Sequence, residues 1–294
     1  MQNKILISAL LVAFAATGCA KDVKSNQGAT QQVIGQKITG LKTPESVVQA
    51  KDGKIYVSEI NEFGKDGDGQ ITVIENGQAR IFAKGLDDPK GLAIIGKTLF
   101  VADKTKIMKI DLDGKVQTFV PANSFPVTPL FLNDLEADPQ GNLYVSDSGD
   151  LFGSGKGGAI YKINPKGEVK LLINDIQDAR VKAPNGLLAD DTSTILIYVD
   201  FASGILYSLN TQTNTLNDIA EGFGGGDGVV HRSNGTMYVS DWKGGKVFSV
   251  NNKGDVTLVK DGYQSAADIA ITKDEKYIMV PDMKAGELDF IPLQ

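Results

Sequence analysis

One phrase recurs six times along the 294-residue chain: a turn, a short apolar strand and a closing acid. It reads DGKIYVSE (52–59), GKTLFVAD (96–103), GNLYVSD (141–147), STILIYVD (193–200), GTMYVSD (235–241) and EKYIMVPD (275–282). The closing acids Glu59, Asp103, Asp147, Asp200, Asp241 and Asp282 are spaced 44, 44, 53, 41 and 41 residues apart. A repeat of that length marks one supersecondary unit copied along the chain, each copy burying its apolar face on the next.

Each phrase is preceded by a short apolar stretch, such as SVVQA, GLLAD or GVVHR, and followed by a second strand, such as GAIYKI or GKVFSV. Most units add another, such as ARIFA, VQTFV, VKLLI or VTLVK. Four short strands per unit, with no helical periodicity, predict an all-β six-bladed β-propeller. The sixth unit stops at GELDFIPL, one strand short, while a spare strand-like segment, QQVIGQKI (31–38), precedes the first unit. That N-terminal strand is expected to close the ring and leave no open seam.

The propeller is therefore assigned to residues 33–294. Upstream, Lys4 precedes an apolar run from Ile5 to Ala16, too short to span a bilayer. Residues 1–18 read as a lipoprotein-type signal peptide, because Ala16-Thr17-Gly18-Cys19 resembles the bacterial lipoprotein box. Cys19, the only cysteine, would carry the lipid, and residues 19–32 would be a flexible tether. This predicts a monomer outside the cytoplasm, anchored to a bacterial membrane by its N-terminal lipid alone, with the periplasmic side of the outer membrane favoured. A net charge of −6 without a basic cluster argues against nucleic acid as a partner.

The start of each unit's first strand carries the candidate chemistry. Fourteen residues before the closing acid stand Glu45, Asn133 and Asp227 in the first, third and fifth units. The fourth unit, one residue longer in its turn, places Asn185 there, and the same alignment puts Lys90 in the second and Ala267 in the sixth. First strands line a propeller's channel, so two carboxylates and two amide oxygens should meet near its mouth. That donor set suits one hard divalent cation such as Ca²⁺, and the lack of His and Cys disfavours zinc. Asn-Gly and Asp-Gly are also turn formers, so Asn185 and Asp227 could instead be turning the chain.

The ordered phrases PES, ND, PNG and DG, each opening a unit, resemble the senescence-marker-protein, gluconolactonase and luciferin-regenerating-enzyme-like family over residues 40–290. Diisopropylfluorophosphatase and the paraoxonases are more distant relatives by fold. The resemblance implies that Glu45, Asn185 and Asp227 bind a catalytic Ca²⁺, with Asn133 a further ligand or a substrate contact. Sugar-lactone hydrolases of the family carry an arginine where this chain has Phe131, which implies a less polar substrate. Asp134 could serve a deeper cation as in paraoxonases, but Ser46 stands where its partner carboxylate would be needed.

The expected activity is Ca²⁺-dependent hydrolysis of a lactone or related ester, a small-molecule substrate, at the channel mouth. Asp227 is the candidate base or nucleophile, or a ligand only, and Phe131, Lys90 and Trp242 are candidate pocket residues. The alternative is a noncatalytic propeller that binds a ligand or protein and uses Ca²⁺ structurally. The loops EINEFGKDGDG (59–69) and DSGDLFGSGKGG (147–158) are expected on the site's face as a possible lid. The first resembles part of an EF-hand, but it leads into a strand and has Gly64 at the loop's first position. The second lacks the Ser or Thr and the helix of a phosphate loop. His231, the only histidine, falls in a turn at the far end of its strand.

Overall fold

The computed structural model describes residues 35–294, so the signal peptide, Cys19 and the tether lie outside the described residues. Among the described residues no helix is long and apolar enough to cross a membrane. Strand β1 (Ile38–Thr39) comes first. Blade one follows with β2 (Pro44–Gln49), β3 (Ile55–Glu59), β4 (Gly69–Glu75) and β5 (Gln78–Leu86). Blade two holds β6 (Pro89–Ile95), β7 (Thr98–Asp103), β8 (Lys106–Ile110) and β9 (Val116–Val120). Blade three holds β10 (Leu132–Ala137), β11 (Leu143–Asp147), β12 (Ala159–Ile163) and β13 (Val169–Asn174). Blade four holds β14 (Pro184–Ala189), β15 (Ile195–Asp200), β16 (Ile205–Asn210) and β17 (Leu216–Glu221). Blade five holds β18 (Gly226–His231), β19 (Met237–Asp241), β20 (Lys246–Val250) and β21 (Val256–Lys260). Blade six has β22 (Ala270–Ile271), β23 (Tyr277–Asp282) and β24 (Glu287–Pro292), and β1 supplies its fourth strand.

The six antiparallel sheets form the expected propeller, and its ring closes where Ile38 pairs with Leu288 and Thr39 with Glu287. The EF-hand-like stretch ends in β4, as its place in the repeat requires.

Alternation along each strand explains why the repeat is apolar on both faces. Leu143 and Val145 pack towards blade two, whereas Tyr144 between them packs towards blade four. The same rule, applied round the ring, gives one buried cluster between each pair of neighbouring blades. No blade owns a core of its own.

The closing acids act as staples. Asp200 accepts the backbone N–H groups of Lys182 and Ala183 at 3.0 and 2.8 Å and those of Ala202 and Ser203 at 3.1 and 2.8 Å. Asp147 accepts those of Phe131 and Gly149 at 2.8 and 3.0 Å, and Asp241 those of Gly225 and Gly244, both at 2.8 Å. A buried carboxylate thus satisfies loop amides on both sides of its strand, fixing the segment that enters the innermost strand.

That innermost strand is bulged at its start. Pro44 faces Glu59 and Val47 faces Val57, so Glu45 and Ser46 stand against Ser58 alone. The same shift falls at Lys90-Gly91, Asn133-Asp134, Asn185-Gly186 and Asp227-Gly228. A bulge re-aims a side chain and leaves an N–H off the ladder. In three blades a serine takes that N–H: Ser46 N donates to Ser58 Oγ at 2.9 Å, Asp134 N to Ser146 Oγ at 2.9 Å and Gly228 N to Ser240 Oγ at 2.8 Å. Ser240 passes its own proton to the Ala267 carbonyl of the next blade at 2.8 Å. Replacing Ser240 with Ala leaves both groups buried and unpaired, so urea unfolding should report a loss of about 1–3 kcal/mol.

Candidate functional site

The bulges bring Glu45, Asn133, Asn185 and Asp227 to one cavity of about 60 Å³ at the channel mouth, with Lys90 in the same wall. All four are nearly closed to solvent, at 3, 4, 2 and 4 % exposure. Gly186 and Gly228 are strand residues without left-handed backbone, so Asn-Gly and Asp-Gly are not turns here. A Cβ at Gly186 would lie 2.3 Å from the Asp227 carbonyl, and one at Gly228 would lie 2.5 Å from Asp268 Oδ1. Glycine lets neighbouring first strands close up, which draws the ring together.

One oxygen of each ring side chain lacks a hydrogen-bond partner: Glu45 Oε2, Asn133 Oδ1, Asn185 Oδ1 and Asp227 Oδ1. Buried acceptors are seldom left so, and four of them in one cavity form the kind of oxygen set that a hard cation would take. The Asn133 amide is oriented for it, since Nδ2 donates to Ser148 Oγ at 3.0 Å and Ser148 donates to the Pro184 carbonyl at 2.9 Å. Oδ1 is therefore the atom left facing the cavity. Among the described residues no three His, Cys, Asp or Glu side chains gather in a metal-binding group, so the oxygen ring with its two amides is the fitting candidate.

Electrostatics agree with that reading. Burial, then Asp227 and Asp134, push the Glu45 carboxyl well above its ordinary range, while Lys90 pulls it back. Burial, then Asp134 and Asp241, do the same to Asp227, opposed by the Asn185 amide. Below the ring, burial pushes Asp134 up to about 6, and burial with the Asp134 charge pushes Glu136 up to about 8. Asp134 has both oxygens engaged, by Leu135 N and Leu187 N at 2.6 Å each, so it ties blade three to blade four. Ser46 donates to Asp268 Oδ2 at 2.6 Å, closing the same tier between blades one and six.

The walls above the ring are apolar: Ile60, Phe63, Phe131, Leu151, Phe152, Phe201, Trp242 and Met283. The two long loops supply Ile60, Phe63, Leu151 and Phe152, so both rise on the site's face. Phe131, Leu151 and Phe152 also wall a larger hollow of about 410 Å³. Asp150 turns the GSGKGG segment inward through Ser154 N at 2.7 Å, so a carboxylate occupies the place where a phosphate would sit. His231 is exposed at the other end of β18. The wall residues Ile60, Phe201 and Met283 were not singled out in the sequence, yet each directly follows a closing acid, as Trp242 does.

The model of the SMP-30/gluconolactonase/LRE-like region matches residues 94–262, more than half of the chain. The chain belongs to this family. Among curated proteins it is 26% identical to lactonase drp35 of Staphylococcus aureus (strain MW2), over 67% of this chain and 63% of the relative. It is 31% identical to strictosidine synthase-like 3 of Arabidopsis thaliana, over 40% of this chain and 33% of the relative. The chain thus spans under two thirds of the length of either. Two solved structures share the fold. One is a calcium-binding protein, regucalcin, of Agrobacterium tumefaciens, with TM-score 0.68, 19% identity and coverage of 83% and 82% of the two chains. The other is a gluconolactonase of Xanthomonas campestris, with TM-score 0.70, 15% identity and coverage of 90% and 92%.

A pH dependence follows from the buried acids. Their folded pKa values lie above the unfolded ones, so the metal-free protein is most stabilised by their protons below about pH 4 and loses that contribution as pH rises towards 8. A cation held by the ring would compete with the protons of Glu45 and Asp227, whose pKa values burial also raises. Calcium should therefore raise Tm more at pH 8 than at pH 5, and an equal rise at both would refute the coupling.

Proposed function

We propose that this protein is a calcium-dependent hydrolase of lactones or related esters that carry an apolar body. The four unpartnered ring oxygens carry the proposal, because they offer a hard cation two carboxylates and two amide carbonyls in one buried cavity. Family membership and the relationship to a lactonase support it. When bound, calcium would polarise the acyl carbonyl and stabilise negative charge on its oxygen.

The chain's own residues do the rest. Glu45, Asn133 and Asn185 hold the ring in place through bulged strands that cannot shift independently. Asp227 accepts the proton of a water whose oxygen bonds to the acyl carbon. The ring C–O bond then breaks, the leaving oxygen takes that proton back, and the hydroxy acid that results becomes the carboxylate by releasing the water's second proton to solvent. The apolar walls exclude further water and hold the hydrocarbon part. The inner cavity has room for a cation and a few waters only. The alkyl part of a substrate therefore belongs in the larger hollow, across Phe131, Leu151 and Phe152.

The test is calorimetric calcium titration of the metal-stripped protein, followed by a panel of lactones and esters with and without chelator. One saturating site and chelator-sensitive turnover are expected. Asp227→Asn should lower kcat by about 100- to 10,000-fold while still binding calcium, although more weakly. No calcium binding would refute the proposal. Binding without turnover on any substrate would leave a noncatalytic propeller with a structural cation. Phe152→Ala should raise KM about tenfold for octanolactone and hardly at all for butyrolactone, since it removes apolar contact area only a long chain reaches.

A further inference from the structure

Lys90 occupies the ring position of blade two, yet it is a donor where the other spokes are acceptors. It is 2 % exposed, and among the described residues it is the only lysine or arginine that is buried. A buried ammonium costs several kcal/mol unless it is paired and fully hydrogen-bonded. Lys90 is neither within the protein. Its Nζ donates to the Asp88 carbonyl at 3.1 Å and lies 4.3 Å from the centre of the Phe131 ring. It forms no ion pair among the described residues, although Glu45 lines the same cavity. An ammonium has three N–H donors, so two remain for whatever enters that cavity.

The position of Phe131 adds direction. Its ring is the face on which the ammonium rests, and it is also the wall between the inner cavity and the larger hollow. The charge therefore stands against the wall that the two spaces share. The four spokes turn unpartnered oxygens to the cavity, which suit a cation and repel an anion. Among the residues lining the cavity, Lys90 is the only one with a positively charged side chain.

We propose that Lys90 is a substrate-binding group of this site, donating a hydrogen bond to the acyl oxygen that calcium would polarise and then to the carboxylate of the hydrolysed product. This rests on the hydrolase reading above. It narrows the substrate class to compounds whose product is a carboxylate with an apolar tail seated against Phe131 and Phe152. Lys90 contributes a charged hydrogen bond and does not bind the metal.

The chain's only tryptophan, Trp242, lines the same cavity, so its fluorescence reports occupancy directly. Hydroxyoctanoate should change Trp242 emission in the wild-type protein, calcium-loaded or metal-stripped. Lys90→Met should weaken that binding about 10- to 100-fold, as loss of a charged hydrogen bond does, with calcium affinity unchanged or higher. The same variant should lower kcat/KM for octanolactone about 100-fold, and Lys90→Arg should recover part of both losses. Unaltered hydroxyoctanoate affinity in Lys90→Met would overturn the proposal and leave Lys90 as a counter-ion to Glu45. Should Lys90→Met not fold, wild-type binding of hydroxyoctanoate is compared with that of octanediol. A preference of about tenfold or more for the carboxylate is expected, and equal affinity overturns the proposal. Calcium titration of the wild type separately decides the hydrolase reading.

Discussion

The site depends on a backbone irregularity repeated round the ring. In a regular strand successive side chains point to opposite faces. The residue between two buried core positions would then be committed to one blade interface or the other. The bulge at the start of each innermost strand breaks that rule at one point, and Glu45, Asn133, Asn185 and Asp227 all sit at it. Five of the six innermost strands carry the same shift at equivalent residues, so their side chains converge without any long-range design. What each blade delivers is then a matter of residue type alone: oxygen in four, an ammonium in one.

The irregularity is maintained by neighbours with no chemistry of their own. The serine of YVSE or YVSD takes the amide that the bulge frees, and the acid after it gathers the loop amides on either side. In the three blades that have it, the serine spares the bulge a buried unsatisfied donor; blades two and four keep the bulge with Ala102 and Val199 in its place. The serine therefore holds the spoke in blades one, three and five, while Ala102, Val199 and Pro281 stand at its place in blades two, four and six, where the closing acid alone recurs.

This division explains what could be read from the chain beforehand. Blade number, closure and the residues at the head of each first strand were legible, because an offset from the closing acid of fourteen residues, give or take one, marks the same structural position in every unit. The roles of Gly186 and Gly228 were not. Asn-Gly and Asp-Gly look identical whether the glycine turns the chain or admits a neighbouring strand, and only the packing of adjacent blades separates the two. The apolar wall was partly legible. Trp242 was found from its place after a closing acid, whereas Ile60, Phe201 and Met283 hold that place with less conspicuous side chains. Asp268 escaped because blade six has Ala267 at the ring position, and its neighbour gains meaning only against Ser46 across the closure.

That closure has a consequence for the order of events during folding. Each buried cluster belongs to two blades, so none is complete until both neighbours are in place. The pairing of Ile38 with Leu288 joins positions about 250 residues apart, among the costliest contacts in the molecule to form by loop closure. The same closure completes the cluster shared by blades one and six and stands beside the Ser46–Asp268 bond that joins their first strands. If the ring holds calcium as proposed, its affinity would then depend on ring closure as well as on the four spokes.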